Sequence, residues 1–247
     1  MQKKINNLYQ NIFAFCRLLK SILVDRLFRR KKYFFFEKEK LIYIPIEKCW
    51  TTSITKSLAT LLQTKKPSHS TPKQEIKFHT KHRLWKKYLD GSYTIFTVVR
   101  NPLERVISCY YNQVEPRIKN PTQEVSEGGK YNILYYLFWY LKNGTEDLEK
   151  FLRKILKIPT CLMDNHFRPM VDFIWIDLEK IKIIDIEDLE NWFEEIRKKY
   201  NLPRLTVQNK TSINKQTSIH SLPKSIIEQF KAIYKKDYEL YEKTKKL

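Results

Sequence analysis

The stretch over residues 94–111 constrains the fold of this chain more than any other. It begins with an apolar run rich in β-branched residues, at positions 95–99, which is typical of a buried strand. A helical pattern over residues 103–112 follows, with Pro102 in the first turn, where a missing N–H costs nothing. Arg100 therefore sits at the carboxyl end of a buried strand, the edge where open α/β sheets bind ligands.

Two interpretations of this junction are open. Ser108 lies two turns into the predicted helix and can face the same way as Arg100, and an arginine with a hydroxyl at such a place is suited to clamp a phosphate. The alternative is a surface arginine at a helix start and a serine that faces solvent. The segment alone does not separate the two.

A second strand, turn and helix pattern lies upstream. Residues 41–46 predict a short strand, residues 47–50 a turn, and residues 51–63 a helix. Backbone N–H groups at a helix start favour an anion, Lys48 can reach it, and hydroxyls follow at positions 51–53. The GxxxxGK[ST] signature of nucleotide triphosphatases is absent, and the chain has only 4 glycines. A helix capped by Ser or Thr is the alternative explanation.

Strand and helix patterns alternate along the rest of the chain. Residues 181–186 predict a strand, residues 189–200 a helix and residues 225–241 one long final helix. This alternation favours a single α/β domain over residues 39–247, with a central parallel sheet flanked by helices. Residues 1–38 form a basic amphipathic segment, for which a helix packed on the domain is favoured over a helix lying on an anionic membrane.

Charge and cysteine content narrow the partners. The net charge is +20, from 47 Lys and Arg against 27 Asp and Glu, which favours an anionic partner without choosing one. The basic residues are scattered, so no nucleic acid is expected as the partner. The 4 cysteines form no CxxC pair, so no metal is expected and the thiols are expected to be reduced. The expected location is the cytoplasm, with peripheral contact to the inner face of the membrane as the alternative.

Taken together, these segments resemble the sulfotransferases that use 3′-phosphoadenosine 5′-phosphosulfate (PAPS), above all the carbohydrate type with the heparan 2-O and chondroitin enzymes and bacterial relatives. The 5′-phosphosulfate loop of that family has the pattern IPKxGxTS, and residues 46–53 here are IEKCWTTS. Its 3′-phosphate motif is VRNPxxRxxSxY, and residues 99–110 are VRNPLERVISCY. Glu47 stands where Pro is usual, and Trp50, where a small residue is usual, could crowd the sulfuryl pocket.

Three further segments agree with the family in order along the chain. Residues 164–169 (DNHFRP) resemble its D-x-H-W-R-P stretch, residues 209–211 (NKT) its N-K-S/T segment, and residues 236–241 (KDYELY) its DYELF ending. The resemblance implies a P-loop-like nucleotide-binding fold. It also implies transfer of a sulfuryl group from PAPS to a hydroxyl of a carbohydrate, a glycan or polysaccharide, with release of PAP and no metal.

The resemblance also implies roles for individual residues. Lys48 would stabilise the leaving oxygen, Arg100 and Ser108 would hold the 3′-phosphate, and Arg105 would pack or pair with a carboxylate. The nucleotide site would comprise Lys48, Cys49, Trp50, Thr51, Thr52, Ser53, Arg100, Ser108, Lys210 and Thr211.

The acceptor side leaves more alternatives. The general base would be His79 or His82, which lie between the two cofactor motifs and rank equally. His166 and Arg168 would line the acceptor site, or His166 would be structural in a turn.

Two other functions are alternatives to sulfuryl transfer. The first is another nucleotide-dependent transferase or kinase. The second is a non-catalytic basic module that binds an anionic glycan or membrane, for which Trp50 is the best argument. The sequence does not indicate the oligomeric state.

Overall fold

A computed structural model describes residues 33–62, 88–116, 147–174, 176–205 and 219–245. The predicted N-terminal helix lies almost wholly outside these residues, and so do His79, His82, Lys210 and Thr211.

The described residues form a mixed four-stranded sheet in the order β1-β2-β3-β4. β1 is antiparallel to β2, and β2, β3 and β4 run parallel. The strands are β1 (Phe34–Phe36), β2 (Leu41–Ile44), β3 (Thr94–Val99) and β4 (Lys182–Asp185). The prediction of an α/β domain around parallel strands is confirmed. The antiparallel edge strand was not predicted, and it places the start of the sheet before residue 39.

The parallel strands are covered on both faces. All four residues of β2 are wholly buried, and β3 is buried at every position except Thr94. This explains why their sequences are continuous apolar runs and do not alternate. The one polar side chain inside β3, Thr97, donates a hydrogen bond from Oγ1 to the carbonyl oxygen of Ile44 at 2.8 Å.

Six α-helices flank this sheet within the described residues. They are α1 (Thr51–Ala59), α2 (Pro102–Cys109), α3 (Leu148–Ile155), α4 (Leu189–Tyr200), α5 (Lys224–Ile233) and α6 (Lys235–Glu242). α2 continues into a π-helical turn over Tyr110–Val114. Short 3-10 helices over Met170–Phe173 and Leu178–Lys180 precede β4.

The prediction of one final helix over residues 225–241 is wrong, because the helix breaks at Tyr234 (φ −97°, ψ 19°). The ring of Tyr234 stacks on Phe230 at 4.1 Å between centroids, and its hydroxyl donates to the carbonyl oxygen of Phe167 at 2.5 Å. The break lets Asp237, on α6, accept hydrogen bonds from the amides of Met170 and Val171. Long-range contacts that no local pattern reveals therefore divide the helix.

Two apolar clusters make up the core. The larger one surrounds the sheet and includes Ile54 of α1, Trp192 of α4 and Leu240 of α6. The second gathers α2, α3 and α5 around Phe167. Helices α1, α4 and α6 therefore pack against the sheet, and α2, α3 and α5 pack against one another beside it. Within the described ranges, no helix combines the length and apolar character needed to cross a membrane.

Phe96 gives a direct test of this core. It is wholly buried in β3 and contacts the ring of Tyr43 at 4.9 Å and that of Trp192 at 4.6 Å between centroids. We expect Phe96→Ala to lower the free energy of unfolding by about 3–5 kcal/mol, because it removes both contacts and leaves a cavity. Phe96→Leu, which keeps most of the volume, should cost about half as much or less. Urea denaturation measures both, and equal, small losses would contradict this account of the core.

Candidate functional site

The carboxyl ends of the three parallel strands meet at one edge of the sheet. Ile44 pairs with Thr97 and Val99 pairs with Asp185, so the loop after β2 and the junction after β3 are neighbours. This is the edge at which open α/β sheets bind ligands. Both strand–helix segments singled out in the sequence end there.

The loop over residues 45–50 folds as a tight turn without glycine. Lys48 (φ 68°) and Trp50 (φ 56°) both adopt the left-handed conformation, which costs a non-glycine residue about 1 kcal/mol or more. The turn is held by two bonds to the carbonyl oxygen of Ile46, from the amide of Cys49 at 3.2 Å and from Oγ1 of Thr51 at 2.5 Å. The indole of Trp50 is partly buried and packs against the larger apolar cluster.

Helix α1 begins directly after this loop, and its first turn carries the predicted phosphate ligands. Trp50 is the residue before the helix, and it makes no side-chain hydrogen bond to the first-turn amides. Thr51 and Thr52 are partly exposed, whereas Ser53 is buried. The helix dipole and the partly exposed Thr52 therefore lie where an anion could be held, whereas the hydroxyl of Thr51 is engaged with the carbonyl oxygen of Ile46.

Cys49 is buried at the centre of the loop. Burial raises the pKa of its thiol to about 12, although the positive charges of Arg105 and Arg100 act in the opposite direction. The thiol therefore stays protonated at neutral pH and is not a nucleophile. The hydrogen bond from Nη1 of Arg105 to the carbonyl oxygen of Glu47, at 3.4 Å, shows that the loop and the segment after β3 lie together.

Arg100 follows β3 immediately and is largely withdrawn from solvent. Its side chain is 11% exposed, and Nη2 lies 3.2 Å from Oε2 of Glu104. Its buried Nε has no hydrogen-bond partner among the described residues. Asn101 caps α2 by accepting bonds from the amides of Leu103 and Glu104. The end of β3 and the cap of α2 thus fix the position of the Arg100 guanidinium, whose Nε has a hydrogen-bond donor without a partner among the described residues.

Ser108, the predicted partner of Arg100, lies on the next turns of α2 and is 5% exposed. Its Oγ accepts a hydrogen bond from Nδ2 of Asn112 at 3.3 Å. The hydroxyl is therefore oriented by the π-helical turn that follows α2. The role of Ser108 toward a phosphate stays a prediction.

Arg105 is the residue whose contribution the sequence did not reveal. It is wholly buried, and Nη1 donates to the carbonyl oxygens of Glu47 at 3.4 Å and His166 at 3.3 Å, while Nη2 donates to that of Arg168. Its hydrogen bonds within the described residues go to backbone carbonyls. Of the two alternatives expected for Arg105, packing and pairing with a carboxylate, the structure shows the packed side chain. The available signal was a charged residue on an otherwise apolar helix, since Leu103, Val106 and Ile107 are buried beside it.

The turn over residues 163–168 contains the predicted acceptor residues. His166 donates from its amide to Oδ1 of Asp164 at 2.9 Å, and its Nδ1 lies 2.6 Å from the same oxygen. Arg168 turns back and donates from Nε and Nη2 to the carbonyl oxygen of Met163 at 3.0 and 2.8 Å. The His166 side chain is 25% exposed. The turn thus presents an imidazole whose tautomer and orientation are set by a buried carboxylate.

Asp164 and Asp237 carry buried negative charge around this turn. Burial opposes ionisation of Asp164, but the hydrogen bonds and charge of His166 outweigh it, so the pKa of Asp164 lies below its usual value. Burial raises the pKa of Asp237, and Arg105 and the amides of Met170 and Val171 only partly offset that rise. No group of three or more His, Cys, Asp or Glu side chains suited to a metal ion occurs in the described part of the chain.

A comparison with protein families decides the class. The family model described as "Sulfotransferase family" matches residues 31–244, which is most of the chain. This protein belongs to the sulfotransferase family. No curated protein and no solved structure gave a significant match. The matched range contains the loop, the Arg100 junction, the turn over residues 163–168 and α6, so the site lies within the sulfotransferase domain. It also contains β1, which lies before residue 39.

The lowered pKa of Asp164 predicts how the free energy of unfolding depends on pH. Since its pKa is lowered by folding, its contribution is fully present above the ordinary aspartate pKa of about 3.9 and is lost as the pH falls through the lowered value. Asp164→Asn should therefore lower the free energy of unfolding by about 1–3 kcal/mol at pH 5, and the gap to the wild type should narrow below about pH 4. Denaturation between pH 5 and 2 measures this.

Asp177→Asn is the matched control. The Asp177 side chain also accepts an amide hydrogen bond, from Glu179 at 3.2 Å, but at an exposed turn. It should cost less than Asp164→Asn at pH 5. A gap for Asp164→Asn that stays constant down to pH 2 would show that the carboxylate is not stabilised by folding.

Proposed function

We propose that this sulfotransferase uses PAPS as the donor and transfers its sulfuryl group to a hydroxyl of a carbohydrate. The observation that carries the donor assignment is Arg100, a largely withdrawn guanidinium at the carboxyl end of β3 whose buried Nε has no hydrogen-bond partner among the described residues. A phosphate at this edge would satisfy that donor and displace Glu104 from the guanidinium. Within the described residues, this is a site built for an anion beside a second anion-binding turn.

The residues present fit PAPS as a substrate with phosphates at two places. Arg100 and Ser108 would hold the 3′-phosphate, which distinguishes PAPS from nucleotides that lack it. The amides of residues 50–53, with the side chains of Thr52 and Ser53, would hold the 5′-phosphate at the start of α1. The sequence also suggested the amide of Cys49, but it is engaged with the carbonyl oxygen of Ile46. Lys48 would place its charge where negative charge develops on the leaving phosphate oxygen. We also propose that Lys210 and Thr211, from outside the described residues, close over the nucleotide.

The transfer balances without a further reactant. The acceptor oxygen forms a bond to sulfur, the bond from sulfur to the phosphate oxygen breaks, and PAP leaves with that electron pair. The proton of the acceptor hydroxyl passes to a base, for which we propose His79 or His82. His166 and Arg168 are proposed to contact the acceptor, and the surplus of basic residues would suit an acidic glycan. A cytoplasmic location, with a peripheral contact of residues 1–38 to membrane, completes the proposal.

PAP affinity tests the donor assignment. Arg100→Ala should raise the Kd for PAP by about 10- to 100-fold, because it removes charge-assisted hydrogen bonds to a phosphate. Glu104→Gln should lower the Kd several-fold, since it removes the carboxylate that competes for Arg100. Isothermal titration calorimetry measures both.

Arg153→Ala serves as the control, because Arg153 forms an exposed ion pair with Glu149 on α3 at 2.8 Å. Its Kd for PAP should stay within about twofold of the wild type, as surface pairs contribute little. Equal affinities in the Arg100 and Arg153 variants would remove Arg100 from the donor site, and a wild type that binds no PAP would refute PAPS as the donor.

Catalysis is tested by transfer of radiolabelled sulfate from PAPS to a panel of glycans. Lys48→Ala should lower kcat by about 10²- to 10³-fold, because it removes charge stabilisation in the transition state. One of His79→Ala and His82→Ala should lower kcat by about 10²-fold or more, and the other should have little effect. Wild-type rates in both variants would reject a histidine base. Tight PAP binding with no transfer to any glycan would instead favour the non-catalytic module.

A further inference from the structure

One buried side chain connects the two halves of the candidate site. The same nitrogen of Arg105, Nη1, donates to the carbonyl oxygen of Glu47 in the loop over residues 45–50 and to that of His166 in the turn over residues 163–168. Nη2 adds a bond to the carbonyl oxygen of Arg168. The guanidinium is planar and its donors keep a fixed geometry, so the two segments cannot move apart without breaking hydrogen bonds.

Other contacts hold the turn from a different side. The hydroxyl of Tyr234 donates to the carbonyl oxygen of Phe167 at 2.5 Å, and Asp237 accepts from the amides of Met170 and Val171 at 2.7 and 3.0 Å. The Tyr234 bond ties the turn to the junction between the last two helices, and the Asp237 bonds tie the 3-10 helix that follows the turn to α6. Neither set of bonds reaches the loop. The side chain of Arg105, by contrast, bonds to the turn and to the loop at once.

The loop that Arg105 contacts has a constrained backbone. Two of its six residues, Lys48 and Trp50, hold a left-handed backbone next to Glu47. Since the conformation of the loop and the position of the Glu47 carbonyl are linked through these few bonds, a ligand that stabilises the loop also stabilises the bond from Arg105. Coupling between two sites is reciprocal, so an ordered turn over residues 163–168 also stabilises the loop conformation that binds the ligand.

We propose that Arg105 is a positioning residue that couples occupancy of the loop over residues 45–50 to the order of the turn over residues 163–168. The inference rests on the proposed function, in which the loop binds the 5′-phosphate of the donor and the turn contacts the acceptor. Its consequence is that the acceptor side becomes ordered once the nucleotide is bound, so the two substrates bind cooperatively although they contact different elements.

Hydrogen exchange tests the coupling without knowledge of the acceptor. The probe is PAP, and the readout is the exchange of the amides of His166, Phe167 and Arg168, which all bond to Asp164. In the wild type, saturating PAP should slow their exchange by about fivefold or more relative to the amides of the buried residues Phe151 and Leu152 in α3, which correct for global stabilisation by the ligand. In Arg105→Lys and Arg105→Gln this extra slowing should fall below about twofold.

Tyr234→Phe is the matched control, because it removes a buried hydrogen bond to the same turn and leaves Arg105 intact. It should speed the exchange of the turn amides in the free protein but keep the extra slowing by PAP. If Arg105 only stabilises the fold of the turn, the Arg105 variants and Tyr234→Phe should all lose the extra slowing of exchange by PAP.

Each result decides between the alternatives. A wild type that binds PAP without extra slowing in the turn overturns the coupling while leaving the donor assignment in place, and this holds even if the Arg105 variants do not fold. Loss of the effect in Tyr234→Phe also overturns the specific role of Arg105. A wild type that binds no PAP overturns the proposed function and the coupling together.

Discussion

The site depends on one buried positive charge, the guanidinium of Arg105. A charge withdrawn from water is costly unless its donors are satisfied. Here backbone carbonyls from two distant segments accept from Nη1 and Nη2, while the buried Nε has no hydrogen-bond partner among the described residues. The loop after β2 and the turn over residues 163–168 are therefore positioned by the same side chain, and Asp237, whose pKa the same charge influences, holds the following 3-10 helix. Arg100 can remain available for a ligand because Arg105 makes the structural hydrogen bonds of the arginine-rich junction.

Much of this arrangement could be predicted from sequence. The apolar runs identified the parallel strands, because strands buried on both faces cannot alternate polar and apolar residues. Proline in the first turn of α2 and the bounds of α4 followed from local rules alone. The position of Arg100 at a strand end, on which the donor assignment depends, could be predicted from the point where a strand pattern ends and a helix pattern begins.

The rest depended on contacts between residues far apart in the chain. The break at Tyr234 arises from a bond to Phe167, and the cap of the 3-10 helix at Met170 comes from Asp237, 67 residues away. The role of Arg105 is of the same kind: a helical pattern shows that a charged residue lies among apolar ones, but not that carbonyls of residues 47, 166 and 168 surround it. The edge strand β1 is three residues long, too short for a pattern to separate it from the preceding segment.

The burial of Cys49 has a consequence for the redox behaviour of the protein. Its protonated thiol lies buried in the loop over residues 45–50, shielded from the oxidants and alkylating reagents that attack thiolates at a surface. Cys161 is exposed and lies two residues before the turn that begins at Met163. Within the part of the chain that the structure describes, mild oxidation or labelling is therefore directed to Cys161 beside the turn over residues 163–168, and Cys49 in the loop over residues 45–50 is spared.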